Sequence, residues 1–387
     1  MAIPAPAAEA TAGSIDSRID ATELAAWLRL TGTPGVGPAT CRALLGAFGL
    51  PDAVLAATRE QLTRVVSRAL ADNITASPSA ELEALIERTQ AWVLQAGNHV
   101  VTLADARYPA ALLETADPPP LLYVKGRVSL LASANVAIVG SRNATAQGRI
   151  DARRFAEALA ASFTVVSGLA LGIDAAAHEG ALAAGAIGGS TIAVIGTGAD
   201  IVYPSAHRAL AHRIVEHGAL VSELPLGTTA AAHHFPRRNR IIAGLSRGVL
   251  VIEAAARSGS LITARLASEC GRDVFAVPGS IHSPLAKGCH QLIRQGAKLV
   301  ESVADVLDEL GMGRAAQTEP VHVDVLGEDD ADTATLSELI GFGPVHPDEL
   351  VERTGWSTGR LATTLLGLEL AGRLERQPGG RVQRLAR

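Results

Sequence analysis

Residues 101–310 predict a doubly wound α/β fold, a Rossmann-like parallel sheet with helices on both faces. Three observations carry this expectation. Short apolar runs recur from about residue 134: "NVAIVGS", "FTVVSGLA", "TIAVIGTG", "GALVSELP", "GVLVIEAA", "DVFAVPGS" and "AKLVES". They are apolar at consecutive positions instead of alternating, as strands buried on both faces are. Most close on Gly or Ser, and helical stretches such as "ARRFAEALAA" and "AHRALAHRIVEHG" lie between them, which is the rhythm of strand-helix-strand units.

The elements around this domain follow in order. "MAIPAPAAEATAGSIDS" lacks the basic start and the apolar stretch of a signal peptide, so residues 1–20 are expected to form a disordered Ala/Pro-rich tail. Residues 21–100 read as short helices broken by Gly and Pro. Within them, "TPGVGPATCRALL" has the outline of a helix-hairpin-helix, with Gly35 and Gly37 in its turn. The free N–H groups of such a turn either face a DNA phosphate or only close a small helical module. After the sheet domain, residues 311–332 are polar and acidic and read as a linker. Residues 333–387 read as three helices and a two-strand element turning at "QPGGR", the outline of a winged helix. Ser357 is placed to cap its third helix. That helix is mostly apolar along one face, which suits packing better than groove reading.

Composition narrows the class. A chain of 387 residues has room for two or three domains, and 48% hydrophobic content excludes a disordered chain. Aromatics are only 3%, so the core must be built from Ala, Val, Leu and Ile. No run approaches the roughly 18–20 apolar residues of a membrane helix. Cys41, Cys270 and Cys289 are odd in number and far apart, so they predict neither a disulfide framework nor a zinc site. His233 and His234 lack metal-ligand spacing with other residues. A cytoplasmic protein without metal or cofactor is expected.

Ligands of open parallel sheets bind beyond the carboxyl ends of the strands. Those positions here are Gly140, Ser141 and Arg142, then Ser167 and Gly168, then Gly196, Thr197 and Gly198. Ser222 and Glu223, Glu253 followed by "RSGSLITA", and Pro278, Gly279 and Ser280 complete the rim. Glycines let backbone N–H groups approach an anion, and hydroxyls donate to it. The first turn is not G-x-G-x-x-G, and no G-x-x-x-x-G-K-[ST] occurs, so a nucleotide cofactor is not predicted. "HHFPRRNRIIAGLSRG" (233–248) holds Arg237, Arg238, Arg240 and Arg247 without an acid, in a chain of formal net charge -5. Arginine suits phosphate because its planar fork meets two oxygens. Single arginines can instead pair with distant carboxylates such as Asp174 or Glu253. Asp174 and His178 share a helix face four residues apart. They serve either acid–base chemistry or, the favoured reading, a structural tie of helix to loop.

Together these motifs resemble the DNA-processing protein A family (DprA, also called Smf). The resemblance rests on "AIVGSR" (137–142), "VVSGLALGIDAAAHEGAL" (165–182), "TIAVIGTGADIVYP" (191–204) and "FPRRNRIIAGLS" (235–246). "VIEAAARSGSLITARLASECGRDVFAVPGS" (251–280) and "KGCHQLIRQGAKLV" (287–300) continue it. It implies a homodimer that binds single-stranded DNA and loads a RecA-type recombinase during natural transformation, with no enzymatic activity. By motif it implies a DNA pocket at Gly140, Ser141, Arg142, Arg238, Asn239 and Arg240. Ser258, Gly259, Ser260, Thr263 and Lys287 are expected to line it. Ser167, Gly168, Phe235 and Arg237 are expected beside them, with Asp174, His178 and Glu253 structural. Phe235 and Tyr203 are the only nearby aromatics, so a backbone-led binding mode is expected. His207 and His290 stand where the family usually has Asn.

Two rival readings remain. A phosphoribohydrolase-like enzyme shares the strand-Gly-Ser-Arg beginning, but its Pro-Gly-Gly-x-Gly-Thr-x-x-Glu motif is missing here. A winged-helix transcription regulator would need sequence-specific duplex binding.

Overall fold

The protein is described by a computed structural model for residues 19–185, 190–311, 331–340, 343–377 and 379–385. Most of the expected tail, to residue 18, and most of the expected linker, 312–330, lie outside the described residues.

Six short helices come first: α1 (Ala21–Gly32), α2 (Pro38–Phe48), α3 (Pro51–Ala56), α4 (Arg59–Leu62), α5 (Arg68–Thr75) and α6 (Ala80–Val93). Their starts are written locally. The Asp20 carboxylate accepts from the Thr22 N–H at 2.8 Å, and Thr58, Ser67 and Ser79 cap α4, α5 and α6. Pro38 and Pro51 open α2 and α3, where a missing N–H costs nothing. Gly35, at φ +91°, turns the chain between α1 and α2. A small core of Leu30, Cys41, Leu44, Val54, Leu62 and Ile74 closes the module.

The sheet domain runs β1 (Asn98–Thr102), α7 (Ala110–Leu113), β2 (Leu121–Gly126), β3 (Asn135–Gly140), α8 (Ala146–Leu159), β4 (Thr164–Ser167) and α9 (Ile173–Ala183). It continues with β5 (Thr191–Val194), α10 (Arg208–His217), β6 (Ala219–Ser222), α11 (His234–Leu245), β7 (Gly248–Ile252) and α12 (Ser260–Glu269). β8 (Asp273–Ala276), α13 (Lys287–Arg294), β9 (Lys298–Leu299) and α14 (Val303–Glu309) complete it. The strand order is β1-β2-β6-β5-β4-β3-β7-β8-β9. From β6 to β9 every pairing is parallel, whereas β1 and β2 add antiparallel at one edge. The expected joint between helical module and sheet domain, at residues 100–101, falls inside β1.

Both faces of the sheet are buried, and successive side chains of one strand enter opposite cores. Ala137 and Val139 of β3 pack with Ile241, Ile242 and Ala264 from α11 and α12. Val136 and Ile138 pack with Phe155, Leu159 and Ala177 from α8 and α9. This two-sided burial is why the strands read as unbroken apolar runs. The order reverses between β3 and β7, so their carboxyl ends diverge into helices on opposite faces and leave a crevice.

The last unit holds α15 (Ala331–Ile340), α16 (Pro347–Thr354), α17 (Thr358–Leu370), β10 (Leu374–Arg376) and β11 (Val382–Arg384). It is a winged helix with a core of Leu336, Leu350, Leu361, Leu365, Leu368 and Val382. Ser357 caps α17 by accepting from the Arg360 N–H.

Gly180 of α9 sits where a Cβ would overlap the Arg153 carbonyl of α8. We therefore expect Gly180→Ala to lower unfolding stability by about 1–3 kcal/mol, the usual cost of overpacking. Urea denaturation checks this, and an unchanged midpoint would deny the close approach of the two helices.

Candidate functional site

A cleft of about 810 Å³ opens at the crevice between β3 and β7. One wall is the turn after β3, with Gly140, Ser141, Arg142 and Asn143. The opposite wall is the turn after β7 with the start of α12, carrying Arg257, Ser258, Gly259, Ser260 and Thr263. The side between them is a face of α11, carrying Phe235, Arg238, Asn239 and Ile242. These four α11 residues fall at i, i+3, i+4 and i+7, one stripe of a helix.

Close backbone approach builds the walls. A Cβ at Gly140 would overlap the Ile252 carbonyl, so β3 and β7 can stay adjacent to their ends only with glycine there. The Ser141 N–H then donates to the Glu253 carbonyl at 2.7 Å, joining the two turns. On the far wall Ser258 and Ser260 share a hydroxyl hydrogen bond of 2.7 Å.

Arg238 is 5% exposed yet borders the cleft. Its Nη1 donates to the Val194 carbonyl at 2.8 Å, and its Nε has no partner among the described residues. Burial pulls its pKa down to about 10; Asp174 opposes this and Arg142 adds to it. The guanidinium is thus charged at neutral pH but incompletely satisfied, a costly arrangement for a buried cation. It fits only because residue 168 is glycine: a Cβ there would overlap Nη1. Arg142 is exposed and lies over the Phe235 ring at 5.4 Å, and Tyr203 meets the same ring at 5.6 Å.

Asp174 and His178 do not bond to each other. Asp174 Oδ2 accepts from the N–H groups of Gly168 (3.1 Å) and Ala170 (3.3 Å). Burial raises the pKa of Asp174, and Arg238 opposes that rise. His178 Nε2 accepts from the Leu169 N–H at 3.3 Å, while its Nδ1 meets the Thr191 hydroxyl at 2.7 Å. Both side chains hold the 168–170 loop, in which Leu169 has φ +58°. Burial first, then the charges of Arg238 and His207, hold the His178 pKa down to about 3.

The arginines of 233–248 part company. On a helix, Arg238 and Arg240 project to nearly opposite sides, whereas Arg237 and Arg240 share a face. That face turns away from the cleft onto Glu223 and Asp117. Arg240 pairs with Glu223 and with Asp117 at 3.5 Å, and Arg237 Nε reaches Glu223 at 3.2 Å. The expected placement of Arg237 and Arg240 at the pocket is therefore corrected, and their carboxylate partners are Glu223 and Asp117. Three other expected residues also lie off the cleft wall. Ser167 is buried and donates to the Ile138 carbonyl. Lys287 reaches the Ile281 carbonyl. Gly168 leaves the room for Arg238 and gives its N–H to Asp174. His207 and His290 hold the carbonyls of Leu169 and Gly279, each at 2.9 Å. Arg257 and Asn143 are additional wall residues. The sequence signal for Arg257 is its place at the head of "RSGSLITA", beside the hydroxyls and apart from the 233–248 arginines.

The helix after the first strand of such a sheet usually offers its N-terminus to a nucleotide phosphate. Here that end is already occupied by carboxylates. Glu253, at φ +51°, accepts from the Thr145 N–H at 2.8 Å and from its hydroxyl. Glu375 of the winged helix accepts from the Ala146 N–H at 3.0 Å. The open surface that carries Arg142, Arg238 and Arg257 lies instead in the cleft.

A family model described as DNA recombination-mediator protein A matches residues 99–311, which contain the whole cleft. The chain belongs to this family. Models for the DprA winged helix domain and a SAM-like helix-hairpin-helix tandem match residues 326–380 and 28–77. Protein Smf of Escherichia coli is 43% identical over 304 residues, 77% of this chain and 80% of that protein. The DNA processing protein DprA of Streptococcus pneumoniae is 51% identical over 208 residues, 54% of this chain and 73% of that protein. The crystal structure of the Streptococcus pneumoniae protein superposes with a TM-score of 0.65 at 38% identity, covering 76% of this chain and 99% of that one. A Helicobacter pylori DNA processing protein A structure, described for its single-stranded DNA binding mode, superposes with a TM-score of 0.50 at 29% identity. It covers 55% of this chain and 96% of that one.

The neutral state of His178 sets a pH dependence. An unfolded imidazole takes its proton near 6.5, whereas this one resists protonation to about 3. The unfolded chain therefore binds the proton first, and stability is lost as pH falls from about 6.5 toward 3, by up to about 1.4 kcal/mol per pH unit. His178→Gln removes this term, so the stability difference between wild type and variant should shrink between pH 7 and pH 5. Chemical denaturation at stepped pH checks it, and a constant difference rejects the assignment.

Proposed function

We propose that the protein binds single-stranded DNA in the cleft between β3 and β7, through its sugar-phosphate backbone, and acts as a recombination mediator. The observation that carries this reading is Arg238: a buried, charged and incompletely bonded guanidinium bordering an open cleft, with Arg142 and Arg257 on the two walls. Three cations, hydroxyls and glycine-lined turns favour phosphates and carry no base-pair code. Phe235 and Tyr203 add one small stacking platform. The relative described for its single-stranded DNA binding mode supports the choice of single strand.

Family membership supports the remaining steps. The protein acts as a homodimer that covers incoming single strands during natural transformation and passes them to a RecA-type recombinase in the cytoplasm. The phosphoribohydrolase reading is less well supported, because Glu253 and Glu375 hold the helix end where a nucleotide phosphate would sit. The transcription-regulator reading is weakened by α17, which spends Leu361, Leu365 and Leu368 on its own core.

Fluorescence-anisotropy titrations with single strands and matched duplex, over a range of salt, test the proposal. Wild type should prefer single strands of any sequence. Arg142→Ala and Arg257→Ala should each weaken binding uniformly and reduce the salt slope by about one unit per lost phosphate contact. Wild-type binding by both variants would remove the cleft from the DNA path. Incubation with nucleoside monophosphates should release no free base; release would revive the enzyme reading.

A further inference from the structure

The cleft uses only one face of α11, and the other face is held by an acid outside it. Glu223 follows β6, and its side chain is 5% exposed. Its carboxylate meets two arginines at once: Arg237 through Nε at 3.2 Å and Nη2 at 3.3 Å, and Arg240 through Nη2. Arg240 also donates to the Asp117 carbonyl at 2.6 Å. Asp117 Oδ1 takes Arg42 of α2 at 2.9 Å. A chain of alternating charge thus runs from the helical module through Asp117, Arg240 and Glu223 to Arg237. On the same side a Cβ at Gly244 would meet Thr115 Cγ2 at 2.6 Å and Leu112 Cδ2 at 2.8 Å, so α11 lies close against α7.

The cleft face has little tolerance for movement. Arg238 is lodged between the bare Gly168 backbone and the Val194 carbonyl, and Asn239 reaches the Gly259 carbonyl only at 3.4 Å. A small rotation of α11 about its axis would carry Phe235, Arg238 and Asn239 out of line together, because they share one rigid helix. We propose that Glu223 is a positioning residue for the DNA cleft: by gripping Arg237 and Arg240 it sets the rotation at which α11 presents Phe235, Arg238 and Asn239 to the strand. The proposal rests on the reading of the cleft as a single-stranded DNA site. Glu223 touches no DNA in this account. Burial raises its pKa while Arg240 and Arg237 oppose the rise, in keeping with a carboxylate held between two guanidiniums.

The test is Glu223→Gln, which keeps the shape and removes the charge. Single-strand affinity is measured across salt, and hydrogen exchange across α11 is measured without DNA. We expect binding about tenfold weaker, within the coupling that packed networks carry, with an unchanged salt slope because no phosphate-contacting cation is lost. Exchange should rise in α11 and stay at wild-type values in β3 to β5. Arg237→Gln, which cuts one arm of the grip at a half-exposed side chain, should act in the same direction with a smaller effect. It serves as the measured variant if Glu223→Gln does not fold. Wild-type affinity in the folded variants would overturn the proposal. So would tighter binding with a steeper salt slope, since Glu223 would then only neutralise arginines able to reach DNA. Absence of single-strand binding by the wild type would instead reject the DNA reading, and α11 exchange would still report whether Glu223 anchors the helix.

Discussion

The cleft depends on one buried cation. Arg238 carries a charge into a nearly dry position, where an isolated guanidinium is expensive. It is tolerated because its surroundings are matched to it: the Val194 carbonyl takes one N–H, Asp174 supplies the opposing charge, and Gly168 leaves the space. Each of these has its own fixed support. Asp174 is tied by the amides of the 168–170 loop, and that loop is tied by His178 and His207. Strand ends, loop and helix therefore converge on one side chain, whose Nε is left buried without a partner among the described residues.

Charge is also apportioned around α11. Arg237 and Arg240 are neutralised by Glu223 and Asp117, and Arg149 lies at 4.0 Å from Glu375. Arg142 and Arg257 are left at the cleft mouth. Cations at a cleft mouth are a local electrostatic footprint that a net charge of -5 does not reveal. The helix end that other sheets of this architecture give to a phosphate is filled by Glu253 and Glu375. Nothing in its backbone forbids an anion; the protein's own carboxylates have taken the place.

Much of this was legible in the sequence because its physical cause is local. Apolar runs without alternation fixed two-sided burial, and the parallel sheet follows from it. Asp20, Thr58, Ser67, Ser79 and Ser357 cap helices within three residues of themselves. Gly140, Ser141 and Arg142 lie where strand ends place them in any open parallel sheet. The long motifs, taken together, pointed to the family that the comparisons establish.

What needed the tertiary structure was every relation between distant segments. Residues 237, 238 and 240 are neighbours in the chain, but a helix sends one to the cleft and two to Glu223 and Asp117, and those partners are brought there by β6 and the 117–120 loop. The reversal of strand order between β3 and β7 placed Arg257 opposite Arg142, a pairing across more than a hundred residues that no local pattern contains. The capping of α8 by Glu375 likewise exists only because the winged helix docks there. Local sequence determined the strands, the caps and the kind of chemistry at the rim. Packing decided which cations face the cleft, because the side a helical residue faces is set by its angle around the axis and by the charge waiting on each side.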